Sequence, residues 1–255
     1  MVLNEAQLAD FRAHGYVVLR GLYSPEEVQQ LSVWLDELRD SDGTENDIAT
    51  YFETSPTSGE TVLVRAEYLL GDQSPEISRM LLKPDVLGAL TDVLGDEPLL
   101  FKEKANYKLP GCRSDLLHQD QAAGWGTYAD YFVTMLIAVD ENRVDNAAVS
   151  FRRNKHHELR LLGPEWQVLS EDEPPFMPAD DYEVIEAQPG DAVLFDCYVP
   201  HGSPANLSAA ARRNLYLTFN RKADGDHRMA YYRDKWENYP PNTRNDARDR
   251  ASFKV

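Results

Sequence analysis

The chain has 255 residues, 42% of them hydrophobic, enough to bury one sizeable core. With 26 Lys and Arg against 43 Asp and Glu the formal charge is −17, which repels phosphate backbones and anionic bilayer surfaces, so nucleic acid and membranes are excluded as partners. The two cysteines, Cys112 and Cys197, form no CxxC pair, which excludes a disulfide framework and a cysteine-based zinc site. Residues Met1 to Glu5 carry no basic stretch leading into an apolar run, and no segment reaches membrane-span length, so a reducing cytoplasm is the expected location.

After Asn4, a natural cap, Ala6, Leu8 and Phe11 fall at helical spacing as far as His14, and Gly15 ends the turn. Tyr16-Val17-Val18-Leu19-Arg20 reads as a strand. Ser24-Pro25-Glu26-Glu27 then supplies an N-cap, a proline at the first helical position and acids at the positive dipole end, opening a helix to about Arg39. Residues 40–58 are polar and rich in Ser, Thr, Asp and Gly, which predicts a loop or lid rather than core. Beyond residue 98 the pattern changes to period two. Tyr131 to Val139 is the strongest buried strand, followed by Glu183–Ala187, Asp191–Phe195 and Asn214–Phe219, separated by Pro-Gly-Asp and Gly-Ser-Pro turns. The expected architecture is mainly β with flanking helices, an antiparallel sandwich or small barrel. One domain spans 1–255, with a mostly helical part at 1–98, a β-barrel core at 99–222 and a C-terminal extension at 223–255.

Within this frame, His118-Gln119-Asp120 sets an imidazole and a carboxylate two apart, on one face of a strand. With 6 histidines and 43 acids in 255 positions, about one such triplet arises by chance, so the spacing alone is weak. His156-His157-Glu158 is a rival. What separates them is a third ligand: Pro189-Gly190-Asp191 turns into Ala192-Val193-Leu194-Phe195, and Pro200-His201-Gly202-Ser203 places His201 at the strand end. Two imidazoles and a carboxylate on one face of an octahedral ion leave three positions open. Eleven residues after His201, Arg212 enters an apolar strand, and a hairpin there brings its forked guanidinium beside the metal to grip a carboxylate. Arg213 is the alternative for that role.

These motifs resemble the phytanoyl-CoA dioxygenase family of Fe(II)/2-oxoglutarate oxygenases. The likeness rests on His118-Gln119-Asp120, Pro189-Gly190-Asp191, His201-Gly202-Ser203 and the delayed Arg212, and on the opening from Phe11 through His14-Gly15-Tyr16 to Gly21, so it covers most of the chain. It implies a double-stranded β-helix, a cupin-like jelly roll, working with Fe(II), 2-oxoglutarate and O2. It also implies that His118, Asp120 and His201 hold the iron, that Arg212 meets the distal 2-oxoglutarate carboxylate with Ser203 as its hydroxyl neighbour, and that Lys104 lies near the co-substrate. Lys108-Leu109-Pro110-Gly111 matches the family's lysine-proline turn. The chain departs from the pattern at Asn146-Ala147, at Arg153-Asn154-Lys155-His156, and at Leu136, where a tryptophan is common. The resemblance implies oxidative decarboxylation of 2-oxoglutarate to succinate and CO2, coupled to hydroxylation of an unactivated C–H bond. Retention of Asp120 implies hydroxylation rather than halogenation, for which a small residue leaves room for halide.

For the substrate, Arg152-Arg153-Lys155, Asn220-Arg221 and Asp226-His227-Arg228 place cations in an acidic protein, as expected for an anionic group such as a phosphonate or carboxylate. The C-terminal pattern from Tyr216 through Gly225-Asp226-His227-Arg228 and Tyr231-Tyr232 to Pro240-Pro241 resembles family members that hydroxylate small aminoalkylphosphonates next to phosphorus. This implies 2-aminoethylphosphonate or its N-methylated form as substrate, with Trp125, Tyr128, Arg153, His156 and Arg221 as contacts, an aromatic face meeting the ammonium head. The alternatives are an amino acid, a compatible solute or a natural-product intermediate as substrate, or a ligand-binding barrel without turnover, which the three-ligand set disfavours. A monomer or small homo-oligomer is expected.

Overall fold

In the computed structural model of the chain, which describes residues 2–44, 47–55, 57–153 and 181–248, reciprocal capping sets the first two helices. Asn4 and Gln7 form a capping box at the start of α1 (Glu5–His14), which ends on Gly15 in the left-handed conformation. Strand β1 (Tyr16–Leu19) follows, and Ser24 with Glu27 repeats the box at α2 (Pro25–Asp40), whose Val28, Leu31, Leu35 and Leu38 are buried.

Residues 40–58 are not the polar loop expected. Ala49–Thr54 form β2, paired antiparallel with β3 (Thr61–Glu67), and Ala49 through Glu53 are buried. A reading by polarity passed over Thr50, Tyr51, Phe52 and Thr54, whose branched or aromatic side chains favour strands. The strand's polar groups are partnered from the far end of the chain. Asn242 Oδ1 accepts from the Phe52 N–H at 2.7 Å, its Nδ2 donates to the Phe52 carbonyl at 2.9 Å, and the Thr50 hydroxyl donates to the Asn242 carbonyl at 2.9 Å.

Helices α3 (Pro75–Leu81) and α4 (Pro84–Leu94) complete the N-terminal part. Then come β4 (Pro98–Lys108), β5 (Asp115–His118), β6 (Val133–Ala138), β7 (Ser150–Arg152), β8 (Tyr182–Val184), β9 (Ala192–Asp196), β10 (His201–Ser203), β11 (Arg212–Arg221) and α5 (Arg228–Asn238). They form a seven-stranded sheet, β1-β9-β6-β11-β4-β3-β2, and a four-stranded sheet, β5-β10-β7-β8. On one face of the large sheet Val17, Met135, Ile137, Leu194, Leu215 and Leu217 share a core with Leu8, Leu31, Leu35 and Leu90 of the helices. On its other face Leu136, Val193, Phe195 and Tyr216 meet Phe151 of the small sheet. Because both faces are covered, β6 and β9 are buried at every position, which is why Val133–Ala138 reads as a continuous apolar run. This is the jelly roll with flanking helices.

The turn into β9 needs its glycine: Gly190 has φ +92°, and a Cβ there would lie 2.4 Å from the Tyr23 carbonyl oxygen. Asp191 locks the turn by accepting from the Gly21 and Gln188 N–H groups at 2.8 and 2.9 Å. Among the described residues, no helix is long and apolar enough to cross a membrane.

Candidate active site

Strand β5 stops at His118, and the chain turns at once into a 3-10 helix, Asp120–Ala123. The pair is therefore not carried on one strand face, as the spacing suggested. The turn instead swings Asp120 back until its Oδ1 lies 3.5 Å from His118 Nε2. His201 also departs from expectation, opening β10 rather than closing β9. There it sits directly across the β5–β10 ladder from His118, with Nε2 3.8 Å from the same carboxylate oxygen. One ligand atom from each residue lies within 4.8 Å of the others, and all three residues are buried.

His118 Nδ1 is 2.6 Å from the Leu116 carbonyl oxygen, and His201 Nδ1 is 2.9 Å from that of Val199. A carbonyl only accepts, so each Nδ1 carries a proton and each Nε2 is turned toward Asp120. Burial and the neighbouring His118 push the His201 imidazole down to about 4 against the pull of Asp120, so it is neutral at pH 7. Burial opposes ionisation of Asp120, yet His201 and His118, with Lys104 beyond them, hold its carboxyl well below the usual carboxylate range. Two imidazoles, each with Nδ1 held by a carbonyl, and one carboxylate on a shared face fit a divalent iron ion with open positions.

Arg212 arrives by a different route from the expected hairpin, because β10 and β11 belong to different sheets. The crossover between sheets buries Arg212 almost completely, 1% exposed, with Nη2 3.5 Å from Ser203 Oγ. Lys108 Nζ donates to Ser203 Oγ at 3.0 Å and pairs with Asp115 at 2.9 Å, and the Ser203 hydroxyl donates to Asp115 at 2.9 Å. Arg213 faces the other way and pairs with Asp140 and Asp36.

Along β4 and β11 the polar residues alternate. Lys104 and Lys108 on β4, with Lys102 beyond, and Arg212, Asn214, Tyr216 and Thr218 on β11 alternate with Ala105 and Tyr107 and with Leu215 and Leu217, which enter the helix-side core. The polar set turns toward the small sheet and the triad. Lys104 is buried 5.1 Å from the Tyr216 ring centroid, and burial with the nearby Arg65 pushes its ammonium down to about 7. The sequence reading found Lys104 but missed Lys102 and Asp115. The available signal was the period-two run of cations at 102, 104 and 108.

Of the residues expected at the substrate, Trp125 is fully buried against Phe101 and Phe132, with Lys102 Nζ 4.5 Å from its ring centroid. Tyr128 packs on Phe101 and Tyr231, its hydroxyl donating to Asp234. Arg153 is exposed and pairs with Glu183 at 3.2 Å. Arg221 is exposed at the opposite end of β11 from Arg212, donating to the Leu94 carbonyl at 3.2 Å with its guanidinium over Tyr131, so it does not join the triad. His156, with the rest of His156-His157-Glu158 and Lys155, lies outside the described residues.

Comparison with known proteins gives consistent likenesses. Residues 11–214 match the phytanoyl-CoA dioxygenase (PhyH) family. The chain is 32% identical over 239 residues to the 2-aminoethylphosphonate dioxygenase of uncultured bacterium HF130_AEPn_1, covering 93% of this chain and 89% of that protein. It is 33% identical over 236 residues to the methylphosphonate hydroxylase of Gimesia maris, covering 91% and 86%. The crystal structure of EctD from S. alaskensis with 2-oxoglutarate and 5-hydroxyectoine superposes with a TM-score of 0.74 at 22% identity, covering 88% of this chain and 78% of that one, a likeness of fold.

Proposed function

The chain belongs to the phytanoyl-CoA dioxygenase family and is a 2-oxoglutarate-dependent dioxygenase acting on a small molecule, and from that premise we propose that His118, Asp120 and His201 hold its iron and that its substrate is a small phosphonate. The observation that carries the metal assignment is the buried triad, with both Nε2 atoms turned to one carboxylate and both Nδ1 atoms committed to backbone carbonyls. Bound together, Fe(II), 2-oxoglutarate and O2 supply the power to hydroxylate an unactivated C–H bond. The protein's own part is binding and positioning.

Arg212 meets the far carboxylate of 2-oxoglutarate, a group that is expensive to bury unpaired. Ser203, tied by Lys108 and Asp115, offers its hydroxyl beside it, and Lys104 adds a cation on the triad side. Trp125, Phe101 and Phe132 exclude water on the side where the substrate's reacting carbon approaches. Both sheets share their inner apolar residues, which supports one catalytic domain.

A phosphonate hydroxylated at the carbon beside phosphorus, 2-aminoethylphosphonate or its N-methylated form first, is supported by the names of the two relatives and by cations buried inside a chain of net charge −17. The test is an anaerobic titration with Fe(II) and 2-oxoglutarate, followed by succinate assays with 2-aminoethylphosphonate, its N-methylated form, methylphosphonate, ectoine and free amino acids. A weak visible charge-transfer band and phosphonate-dependent succinate are expected. Absence of the band would remove the iron assignment, and turnover with ectoine or an amino acid alone would remove the phosphonate.

A further inference from the structure

Lys102 is 2% exposed, and its ammonium nitrogen has no hydrogen-bond partner. Keeping an ammonium from water without an anion costs several kcal/mol, and burial, with Lys104 and Lys235 nearby, pushes the Lys102 ammonium well below its usual range, so a bound anion is what would hold the proton on it. No carboxylate hydrogen-bonds it. Lys102 Nζ lies 4.5 Å from the Trp125 ring centroid and 5.5 Å from that of Tyr231. Lys235 of α5 enters the same cluster, 5.8 Å from the Tyr231 centroid, and Arg65 approaches from β3. The nearby Glu67 directs its Oε1 to Lys235 Nζ at 2.6 Å and Arg65 Nη1 at 3.4 Å, while its Oε2 is buried without a hydrogen bond and makes none to Lys102.

Basic groups outnumber carboxylates in this cluster. Lys102 is repelled by Lys104 and Lys235 and attracted to Glu67 and Asp120, so it lies within electrostatic reach of the triad. Four basic groups, Lys102, Lys104, Lys235 and Arg65, thus share two carboxylates, Glu67 and the ligand Asp120, and burial pushes the ammonium groups of Lys104 and Lys235 down to about 7 and about 8. Two neutral groups of the same cluster, the Trp125 indole N–H and the Tyr231 hydroxyl, are also buried without partners. By contrast, the cations at Lys108 and Arg212 are accounted for by Asp115 and by the co-substrate.

We propose that Lys102 binds the anionic end of the prime substrate, a phosphonate, with the Tyr231 hydroxyl and the Trp125 indole N–H beside it. This rests on the phosphonate reading above. A dianion held on Lys102 leaves the carbon next to phosphorus facing the triad and supplies an anion to a cluster in which basic groups outnumber carboxylates. It also divides the labour: Arg212 and Ser203 serve the co-substrate's carboxylate, and Lys102 serves the substrate.

The experiment uses the anaerobic enzyme loaded with Fe(II) and 2-oxoglutarate, titrated with methylphosphonate, inorganic phosphate and acetate. Lys102→Met should raise the Kd for methylphosphonate by about 30-fold or more, while the Kd for 2-oxoglutarate changes by less than about threefold. Because it removes a buried amine that has no hydrogen bond, the same variant should melt no lower than the wild type; Lys102→Gln, which keeps a neutral donor, is the second variant and should lose most of the same affinity. Unchanged methylphosphonate binding in both variants would overturn the proposal, as would a defect confined to 2-oxoglutarate. If the wild type turns over no phosphonate but binds phosphate or acetate in a Lys102-dependent way, the subsite stands and the substrate reading falls. If it binds none of the three probes, both fall.

Discussion

Arg212 and Arg213 are consecutive on β11 yet serve opposite sides of the large sheet: Arg212 Nη2 lies 3.5 Å from Ser203 Oγ, whereas Arg213 is 2.7 Å from Asp140 and 3.0 Å from Asp36 on the helix side. Strand alternation makes the two separable by mutation. Arg212→Ala should raise the KM for 2-oxoglutarate roughly 30- to 1000-fold, about 2–4 kcal/mol, with the affinity for phosphonate nearly unchanged. Arg212→Lys keeps the charge without the planar fork and should recover only part. Arg213→Ala should instead lower stability by about 1–2 kcal/mol, read as a fall in Tm, and leave the KM for 2-oxoglutarate alone. A co-substrate defect in Arg213→Ala, absent from Arg212→Ala, would refute this division.

The triad should behave as a unit. His118→Ala, Asp120→Ala and His201→Ala should each abolish iron-dependent decarboxylation of 2-oxoglutarate while leaving far-UV circular dichroism intact, because the three residues sit at strand ends and a turn. Asp120→Gly should lose hydroxylation as well as most iron affinity. Measurable iron-dependent turnover in any one of the four would remove that residue from the ligand set.

Lys104 links the site to pH. In the unfolded chain its ammonium titrates near the ordinary 10.5, but burial and Arg65 push it down to about 7 in the folded protein. Below pH 7 both states are protonated and the folded state bears the full desolvation cost. Between about 7 and 10.5 the unfolded state binds the extra proton, so this residue's contribution to stability rises with pH. Lys104→Met should therefore stabilise the metal-free protein at pH 6, on the order of 3–5 kcal/mol and several degrees in Tm, with the gain shrinking toward pH 10. A Tm difference that is flat with pH, or of opposite sign, would contradict the buried-lysine account.

Asn242 tests the placement of β2. Its side chain bonds both the N–H and the carbonyl of Phe52, at 2.7 and 2.9 Å, and donates to the Asp246 carbonyl at 2.9 Å, while the residue is only 6% exposed. Asn242→Ala leaves the buried Phe52 N–H unpaired and its carbonyl with the Arg248 N–H at 3.2 Å, and should cost about 1–3 kcal/mol, measured by denaturant unfolding. Hydrogen exchange at Phe52 should accelerate with it. A cost below about 0.5 kcal/mol would mean that β2 holds its edge position without this clamp.

Local chemistry was legible in the linear order of residues. The Asn4 and Ser24 caps, the stop at Gly15, the Gly190 turn and the apolar run Val133–Ala138 all satisfy backbone groups or bury side chains within a few positions, so propensity and period are enough to read them. The identities of His118, Asp120, His201 and Arg212 as chemistry-bearing residues were legible through spacing and turn context. Their geometry was not. His118 meets His201 only because β5 and β10 pair across a long stretch of chain, and Asp120 joins them through a 3-10 turn that strand periodicity cannot foresee. The same holds for β2, whose polar residues looked like a solvated loop until Asn242 supplied their partners. It holds for Lys102, whose alternation with Glu103 on β4 resembles a wetted strand face until α5 and Trp125 close over it. A sequence records that a residue is polar; only long-range pairing decides whether water or the interior of a jelly roll surrounds it, and that decides whether its charge is solvated or left waiting for a ligand.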